Sequence, residues 1–219
     1  MKRTIAIAAL CAGIMLTTFP CQAKESGNVK INSKNFPDTI VREYVSEKID
    51  KNNDGYLSKK EISAVKTIII DKNNLYWENK DKPKEDYEII DCKGLEIFTN
   101  VEKVKLTTYC DTYVSEYGNI KNIKVLTKLT KIKNLEISGV NNSNYDFTKL
   151  NNLERLCIKS TKLKKLNLSK NVKLKNLKLA YNPLLKKINL TKNKNLERIN
   201  LYGSGVKKIT LGKNNKIKN

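Results

Sequence analysis

Between Asp50 and Glu61 the chain reads DKNNDGYLSKKE. Counted from Asp50, Asp50, Asn52 and Asp54 place side-chain oxygens at the first, third and fifth positions. Gly55 follows, where a sharp turn needs a residue without a side chain, and Tyr56 then offers its main-chain carbonyl. Ser58 is placed to hold a water, and Glu61 closes the stretch with two oxygens. Hard oxygen donors at this spacing suit a hard divalent cation, and their number points to calcium. Three carboxylates set among Lys51, Lys59 and Lys60 imply modest affinity, suited to calcium-rich extracellular fluid, and a structural role for the ion. Asp71-Lys-Asn-Asn-Leu-Tyr begins with the same four letters but lacks the fifth-position oxygen and the glycine, so it is not a second loop.

The other residues with chemical consequence are cationic. LKKLNLSKN, from Leu163 to Asn171, returns as LKKINLTKN from Leu185 and as VKKITLGKN from Val206. Lys165, Lys187 and Lys208 thereby fall at one position of successive copies, with Lys170, Lys192 and Lys213 at another. From Phe147 to Asn219 there are 20 lysines and arginines against Glu154 and Glu197 alone, so nearly all of the net +21 lies in the repeats. Two readings of the lysine ladder stay open: a solvated face that keeps the repeats soluble, or a binding site for acidic glycans or other polyanions. Nucleic acid is not expected, because aromatic residues are sparse among these lysines: only Tyr181 and Tyr202 occur in the last repeats.

Catalysis is not expected. The chain has no histidine, no G-x-S-x-G turn and no phosphate-cradling glycine loop. Paired carboxylates for glycoside hydrolysis are confined to the acidic run Glu78 to Asp91, read as a solvated loop.

The elements that must position these residues follow from hydrophobic spacing. Asp38 caps a helix running to about Ile49, Ser58 caps another from Lys59 to about Val65, and together they bracket the loop as in an EF-hand. Thr67 to Asp71 and Tyr87 to Asp91 read as strands, joined by an excursion whose Tyr76 and Trp77 are read as packing on the first coil rather than on a sugar. Beyond them, Leu153, Leu156 and Ile158 recur as Leu174, Leu177 and Leu179 and as Leu196, Ile199 and Leu201. A second series, Leu163, Leu166 and Leu168, recurs as Leu185, Ile188 and Leu190 and as Val206, Ile209 and Leu211. Both advance by 21 or 22 residues with an L-x-x-L-x-L core, the period of a leucine-rich repeat solenoid. The expected fold is a β-rich solenoid, its array beginning near Gly94, with a small helical EF-hand-like cap. Its domains are a signal peptide (1–23), the cap with lead-in strands (24–92) and the solenoid (93–219). Stacking should align Arg155, Asn176 and Arg198 in one row of the first face, Cys157, Lys178 and Asn200 in the next, and Lys159, Ala180 and Tyr202 in a third. Arg155, Lys178, Arg198 and Tyr202 are the candidates there for recognising a protein. Asn171, Asn193 and Asn214 share one turn position, where an amide can bond the neighbouring coil.

The start of the chain reads as an export signal: Met-Lys-Arg, an apolar run from Ile5 to Phe19, and Cys21-Gln-Ala23 ahead of the cut. Cys92, Cys110 and Cys157 remain after it, either with Cys92 and Cys110 paired or as isolated thiols.

Taken in order, the export signal, I-N-x-x-N-F-P-D from Ile31, the DKNNDGYLSKKE loop, K-G-L-E-x-F-T-N-V from Lys93 and the repeats with S-K-N turns resemble exported leucine-rich repeat proteins of bacteria that carry an N-terminal EF-hand-like calcium loop. The resemblance covers nearly all of the chain after the signal. It implies a secreted or cell-surface protein, a cap that shields the first coil, and a solenoid that binds an extracellular partner. Internalin-like proteins share the repeat logic with longer arrays. The chain departs from the pattern in its few repeats and in showing no wall-anchoring motif.

Overall fold

The computed structural model describes residues 28–72, 89–108, 110–111, 116–140, 143–213 and 216–217, so the segment read as an export signal (1–23), Tyr76, Trp77 and Asn214 lie outside the described residues. At the N-terminal end, β1 (Val29–Lys30) pairs antiparallel with β2 (Tyr56–Leu57), which ties residues 29–30 to the middle of the Asp50–Glu61 stretch. Between them α1 (Thr39–Lys48) starts at Asp38, whose Oδ1 accepts the N–H of Val41 at 2.9 Å. Ile40, Val41 and Val45 form its buried side, the 3–4 residue spacing of an amphipathic helix. Then α2 (Lys59–Ala64) opens on Ser58 in a reciprocal cap: Ser58 Oγ accepts from Glu61 N while Glu61 Oε2 accepts from Ser58 N.

Contacts at four residues, Asp38, Tyr44, Phe36 and Gly94, seat the cap on the next segment. Asp38 Oδ2 accepts from Lys72 Nζ at 2.7 Å and from Asp91 N at 3.0 Å, and the Lys72 and Asp38 side chains are only 2% and 5% exposed. Tyr44 lays its hydroxyl on the main chain of Thr67 and Ile69. Phe36 stacks at 6.5 Å from Phe98. Gly94, at φ +95°, passes so close that a Cβ there would lie 2.4 Å from Asn35 O, which leaves glycine alone able to occupy it.

The strands that follow are β3 (Thr67–Asp71), β4 (Ile89–Asp91), β5 (Lys103–Thr107), β6 (Cys110–Asp111), β7 (Glu116–Tyr117) and β8 (Asn119–Lys121). They continue as β9 (Asn134–Val140), β10 (Asn144–Asp146), β11 (Arg155–Thr161), β12 (Lys165–Asn167), β13 (Asn176–Lys178), β14 (Lys187–Leu190), β15 (Arg198–Asn200) and β16 (Lys208–Leu211). One six-stranded parallel sheet runs in the order β15-β13-β11-β9-β5-β3, each strand from the next coil. Its first strand is Thr67–Asp71, so the sheet starts inside the segment read as lead-in strands. Alternate residues face inward, and Ile68, Ile70, Val104, Leu106, Leu135, Ile137, Leu156, Ile158 and Leu177 are all at most 2% exposed. One coil has no second apolar layer of its own, and burying each such side chain contributes about 1.5–3 kcal/mol, so the coils hold together only as a stack.

The opposite side differs from the expectation of one continuous lysine-bearing ladder. β10 pairs with β12, and β14 with β16, as two separate two-stranded parallel ladders. Lys187 and Lys208 are direct partners, whereas Lys165 pairs with Asn144 across its own ladder. After these strands Asp146, Asn167 and Asn189 each turn a side-chain oxygen onto the N–H two residues on, so every strand of this side is only three or four residues long.

Buried amides tie coil to coil. Asn171 Nδ2 donates to the carbonyls of Phe147 and Leu150, each at 2.9 Å, and Asn193 Nδ2 donates to those of Leu168 and Asn171 at 3.0 and 2.9 Å. Asn182 donates to Ile158 O and accepts from the Thr161 hydroxyl.

Candidate functional site

Within the Asp50–Glu61 loop, Asp50 is 3% exposed and its two oxygens accept the N–H groups of Asp54 and Gly55 at 3.3 and 2.9 Å. Asn53 and Gly55 take left-handed φ values of 56° and 78°, which fold the loop back on itself. Asp54 accepts from Tyr56 N and from Asn52 Nδ2. Glu61 reaches back across the loop to Lys51 N at 2.7 Å while also capping α2. Burial alone would raise its pKa, but hydrogen bonds from Ser58 and the Lys51 and Asn52 N–H groups outweigh that and hold it below the ordinary carboxylate value. The donor types fit a hard cation, and Asp50 is a buried carboxylate with no cationic side chain paired to it among the described residues. The carboxylates are engaged with main-chain N–H groups, and among the described residues no three His, Cys, Asp or Glu side chains form a metal-holding group.

The first face of the solenoid carries a groove of about 680 Å³ running across the strands. Pairing places Lys103 beside Asn134, Asn134 beside Arg155, Arg155 beside Asn176, and Asn176 beside Arg198. All five line the groove. The three cations are exposed and the two asparagines between them are half-buried. In the next row Lys105, Glu136, Cys157, Lys178 and Asn200 stand in register. Two of its charges are satisfied internally, Lys105 by Asp71 at 2.6 Å and Glu136 by Lys159 at 2.8 Å. Lys103, Arg155, Lys178 and Arg198 take part in no ion pair among the described residues, so the groove is left with uncompensated positive charge. Tyr202 stands beyond the end of β15, 70% exposed, its ring edge-on to Tyr181 at 5.4 Å.

Of the sequence candidates, the structure brings Arg155, Lys178 and Arg198 onto one groove and leaves Tyr202 outside its lining. Lys165, Lys187 and Lys208 stand exposed on the opposite side, the first in a different ladder from the other two. Cys92 is a free, buried thiol, and burial pushes its pKa far up. Cys157 is a free thiol half-exposed within the groove row.

Sequence reading missed an ordered row at the entrance to the large sheet. The residues just before its strands are Lys66, Glu102, Lys133, Glu154, Lys175 and Glu197, alternating in sign from coil to coil. Lys133 pairs with Glu102 at 2.8 Å and Lys175 with Glu154 at 2.9 Å. Each carbonyl in the row from Lys66 to Lys175 accepts two N–H groups from the next coil, as Glu154 O does from Lys175 and Asn176. Two residues earlier, Asn100, Lys131, Asn152, Lys173 and Asn195 alternate as well, with Lys131 bonded to Asn100 and Lys173 to Asn152. The signal was present in the sequence one and three residues ahead of each L-x-L strand, at the positions just outside the apolar pattern.

A stack of parallel coils on L-x-x-L-x-L cores, with one unbroken sheet and asparagines tying the turns, is a leucine-rich repeat solenoid. The comparison with solved structures agrees. An internalin, InlF, from Listeria monocytogenes strain 4b F2365 matches with a TM-score of 0.65 at 20% identity over 82% of this chain. The match takes in 47% of that protein, so this chain spans about half its length. Internalin C2 of the same strain, at 17% identity over 84% of this chain and 97% of its own, has a TM-score of 0.35, too low to carry an argument. No family model and no curated protein matches the sequence.

Proposed function

We propose that this chain is an exported bacterial leucine-rich repeat binding protein, secreted or held at the cell surface, that receives an extracellular protein on the groove of its six-stranded sheet. The groove carries the reading: a volume of about 680 Å³ lined by Arg155, Lys178 and Arg198, cations with no internal counter-charge among the described residues. Charge held this way steers an acidic partner and fixes its register. The charged start and apolar run of residues 1–23, read as an export signal, support the extracellular setting. The cap is read as a calcium-stapled one, in which Asp50, Asn52, Asp54 and Glu61 supply side-chain oxygens, Tyr56 its carbonyl and Ser58 a water-held contact. The buried Asp50 carboxylate supports that reading. Bound calcium would supply the counter-charge that the Asp50 carboxylate lacks among the described residues.

A second reading rests on Lys187 and Lys208, paired on adjacent strands about 5 Å apart. Repulsion at that distance is relieved by salt or by an acidic glycan or similar polyanion. Surface plasmon resonance of the chain against panels of extracellular proteins and acidic polysaccharides, through a salt series, separates the two. Loss of a protein ligand with Arg155→Gln, Lys178→Gln and Arg198→Gln together supports the groove. Loss of a polysaccharide ligand, with steep salt dependence, in the triple Lys165→Gln, Lys187→Gln and Lys208→Gln supports the lysine face. Ligands indifferent to both triples would refute both readings.

A further inference from the structure

We propose that the groove is built for an acidic polypeptide in the polyproline II conformation, lying across the strands, with carboxylates three residues apart on Lys103, Arg155 and Arg198. This rests on the reading of the groove as a protein-binding face. The cations stand on β5, β11 and β15, every second strand of the stack, with Asn134 and Asn176 between them. Neighbouring strands lie about 4.8 Å apart, so successive cations are about 9.6 Å apart. A polyproline II chain rises about 3.1 Å per residue with three residues per turn, which returns a side chain to the same side about every 9.3 Å. The two periods stay within about 1 Å of each other from Lys103 to Arg198.

Other ligand conformations fit less well. An extended β-strand presents same-side residues about every 6.7 Å and misses the central Arg155 by about 3 Å. A helix matches only at seven-residue steps of about 10.5 Å, and its body of about 10–12 Å diameter holds its main-chain groups inside. Polyproline II has no internal hydrogen bonds, so its carbonyls and N–H groups need partners outside the chain. The side chains of Asn134 and Asn176 supply them: each is half-buried in the groove lining and bonded to nothing among the described residues. The long cations and short amides thus alternate in the order that side-chain carboxylates and ligand backbone would meet them. The flanking row is neutralised by the Lys105–Asp71 and Lys159–Glu136 pairs, which confines the attraction to this line apart from Lys178 on β13. The lysine face has a different pitch, with Lys187 and Lys208 on adjacent strands, and so suits a denser polyanion.

The test uses the purified chain and a fluorescein-labelled peptide of four Glu-Pro-Pro units, with fluorescence anisotropy at physiological salt. Comparison probes are the isomer with its four glutamates adjacent, the Gln-Pro-Pro counterpart, and polygalacturonate. The periodic peptide should bind about tenfold more tightly than the clustered isomer, and the Gln-Pro-Pro peptide should not bind measurably. Arg155→Gln with Arg198→Gln should weaken it about tenfold or more, Asn134→Ala with Asn176→Ala by a smaller factor, and Lys187→Gln with Lys208→Gln by less than about twofold. These are surface positions, and circular dichroism of each variant guards against misfolding. Equal binding of the two isomers, a loss caused by the Lys187 and Lys208 changes, or groove-dependent binding of polygalacturonate without the peptide would each overturn the proposal. If the isomers bind equally while a protein ligand still depends on Arg155 and Arg198, this inference fails and the groove reading survives. If nothing responds to Arg155 and Arg198, both fail.

Discussion

Asn193→Ala should cost about 2 kcal/mol of stability, and the reason lies in two carbonyls. Asn193 is 1% exposed, and its Nδ2 donates to Leu168 O at 3.0 Å and Asn171 O at 2.9 Å, both in the coil before its own. Neither acceptor would be left bare, because Leu168 O also accepts from Asn171 N and Asn171 O from Leu174 N. Each lost bond therefore costs near the lower end of the 1–3 kcal/mol for a stripped buried group, about 1 kcal/mol apiece. The Oδ1 atom has no hydrogen-bond partner among the described residues, so its removal recovers part of a desolvation cost and keeps the total from rising further. Asn193→Asp tests the mechanism more sharply, since it sets a carboxylate against the same two carbonyls. It should cost clearly more than the alanine change at pH 7 and recover partly as acid protonates it, because burial raises its pKa. Asn189→Ala, an exposed turn position, should cost less than about 1 kcal/mol. Urea unfolding monitored by circular dichroism measures all three, and Asn193→Ala should lower the melting temperature by about 4–8 °C. A cost under about 0.5 kcal/mol for Asn193→Ala, or equal costs for the alanine and aspartate variants at pH 7, would refute the argument.

Lys72→Met should destabilise the chain by about 3–5 kcal/mol by leaving the buried Asp38 carboxylate without its cation, and adding Asp38→Asn should restore part of the loss in a double-mutant cycle read by urea unfolding. Glu102 and Glu154 are held below the ordinary carboxylate value chiefly by hydrogen bonds from Lys133 and Lys175, and Glu61 by the bonds of its cap. Depressed acids stabilise fully above their unfolded pKa and lose that contribution as pH falls through the folded one, so stability should be level above about pH 5 and fall below about pH 4.5. The fall should be shallower in 0.5 M salt and in the double Glu102→Gln, Glu154→Gln variant; an unchanged slope in that variant would contradict the assignment. Calcium should raise the melting temperature of the chain, and Glu61→Gln, which keeps the α2 cap, should remove that rise; a rise of the same size in the variant would sink the proposed site.

The parts of this molecule that are legible in its sequence are those governed by apolar spacing. Leu156 against Leu177 and Ile199 fixes the register, and with it the rows of Arg155, Asn176 and Arg198 and of Cys157, Lys178 and Asn200 fall where the alignment puts them. The caps at Asp38 and Ser58 were legible for a similar reason, since both are local, a short oxygen three residues ahead of the N–H it accepts. The lysine side was harder to read because its ladder depends on where strands stop. Asn167 and Asn189 look like surface decoration in the sequence, yet their side-chain oxygens bond the turns that follow β12 and β14, and these strands fall in two separate ladders in place of the expected one. The bond from Lys72 to Asp38 joins residues 34 apart and had no periodic signal to announce it. The groove extends past the later repeats because β5 and β9, looser copies of the same pattern, share the sheet and bring Lys103 and Asn134 into line with them.

The alternating row from Lys66 to Glu197 bears on how such a gene can change length. Structurally one coil is the unit, but chemically the unit is two, for Glu154 meets its like again only at Glu197, 43 residues on. Deleting or duplicating a single coil by recombination would set Lys beside Lys or Glu beside Glu at the seam, and would also throw the Arg155, Asn176 and Arg198 line out of phase. Removing or adding two coils leaves both orders intact. Viable relatives of this chain should therefore differ in repeat number by pairs, with lone-coil variants carrying a compensating charge reversal at the junction.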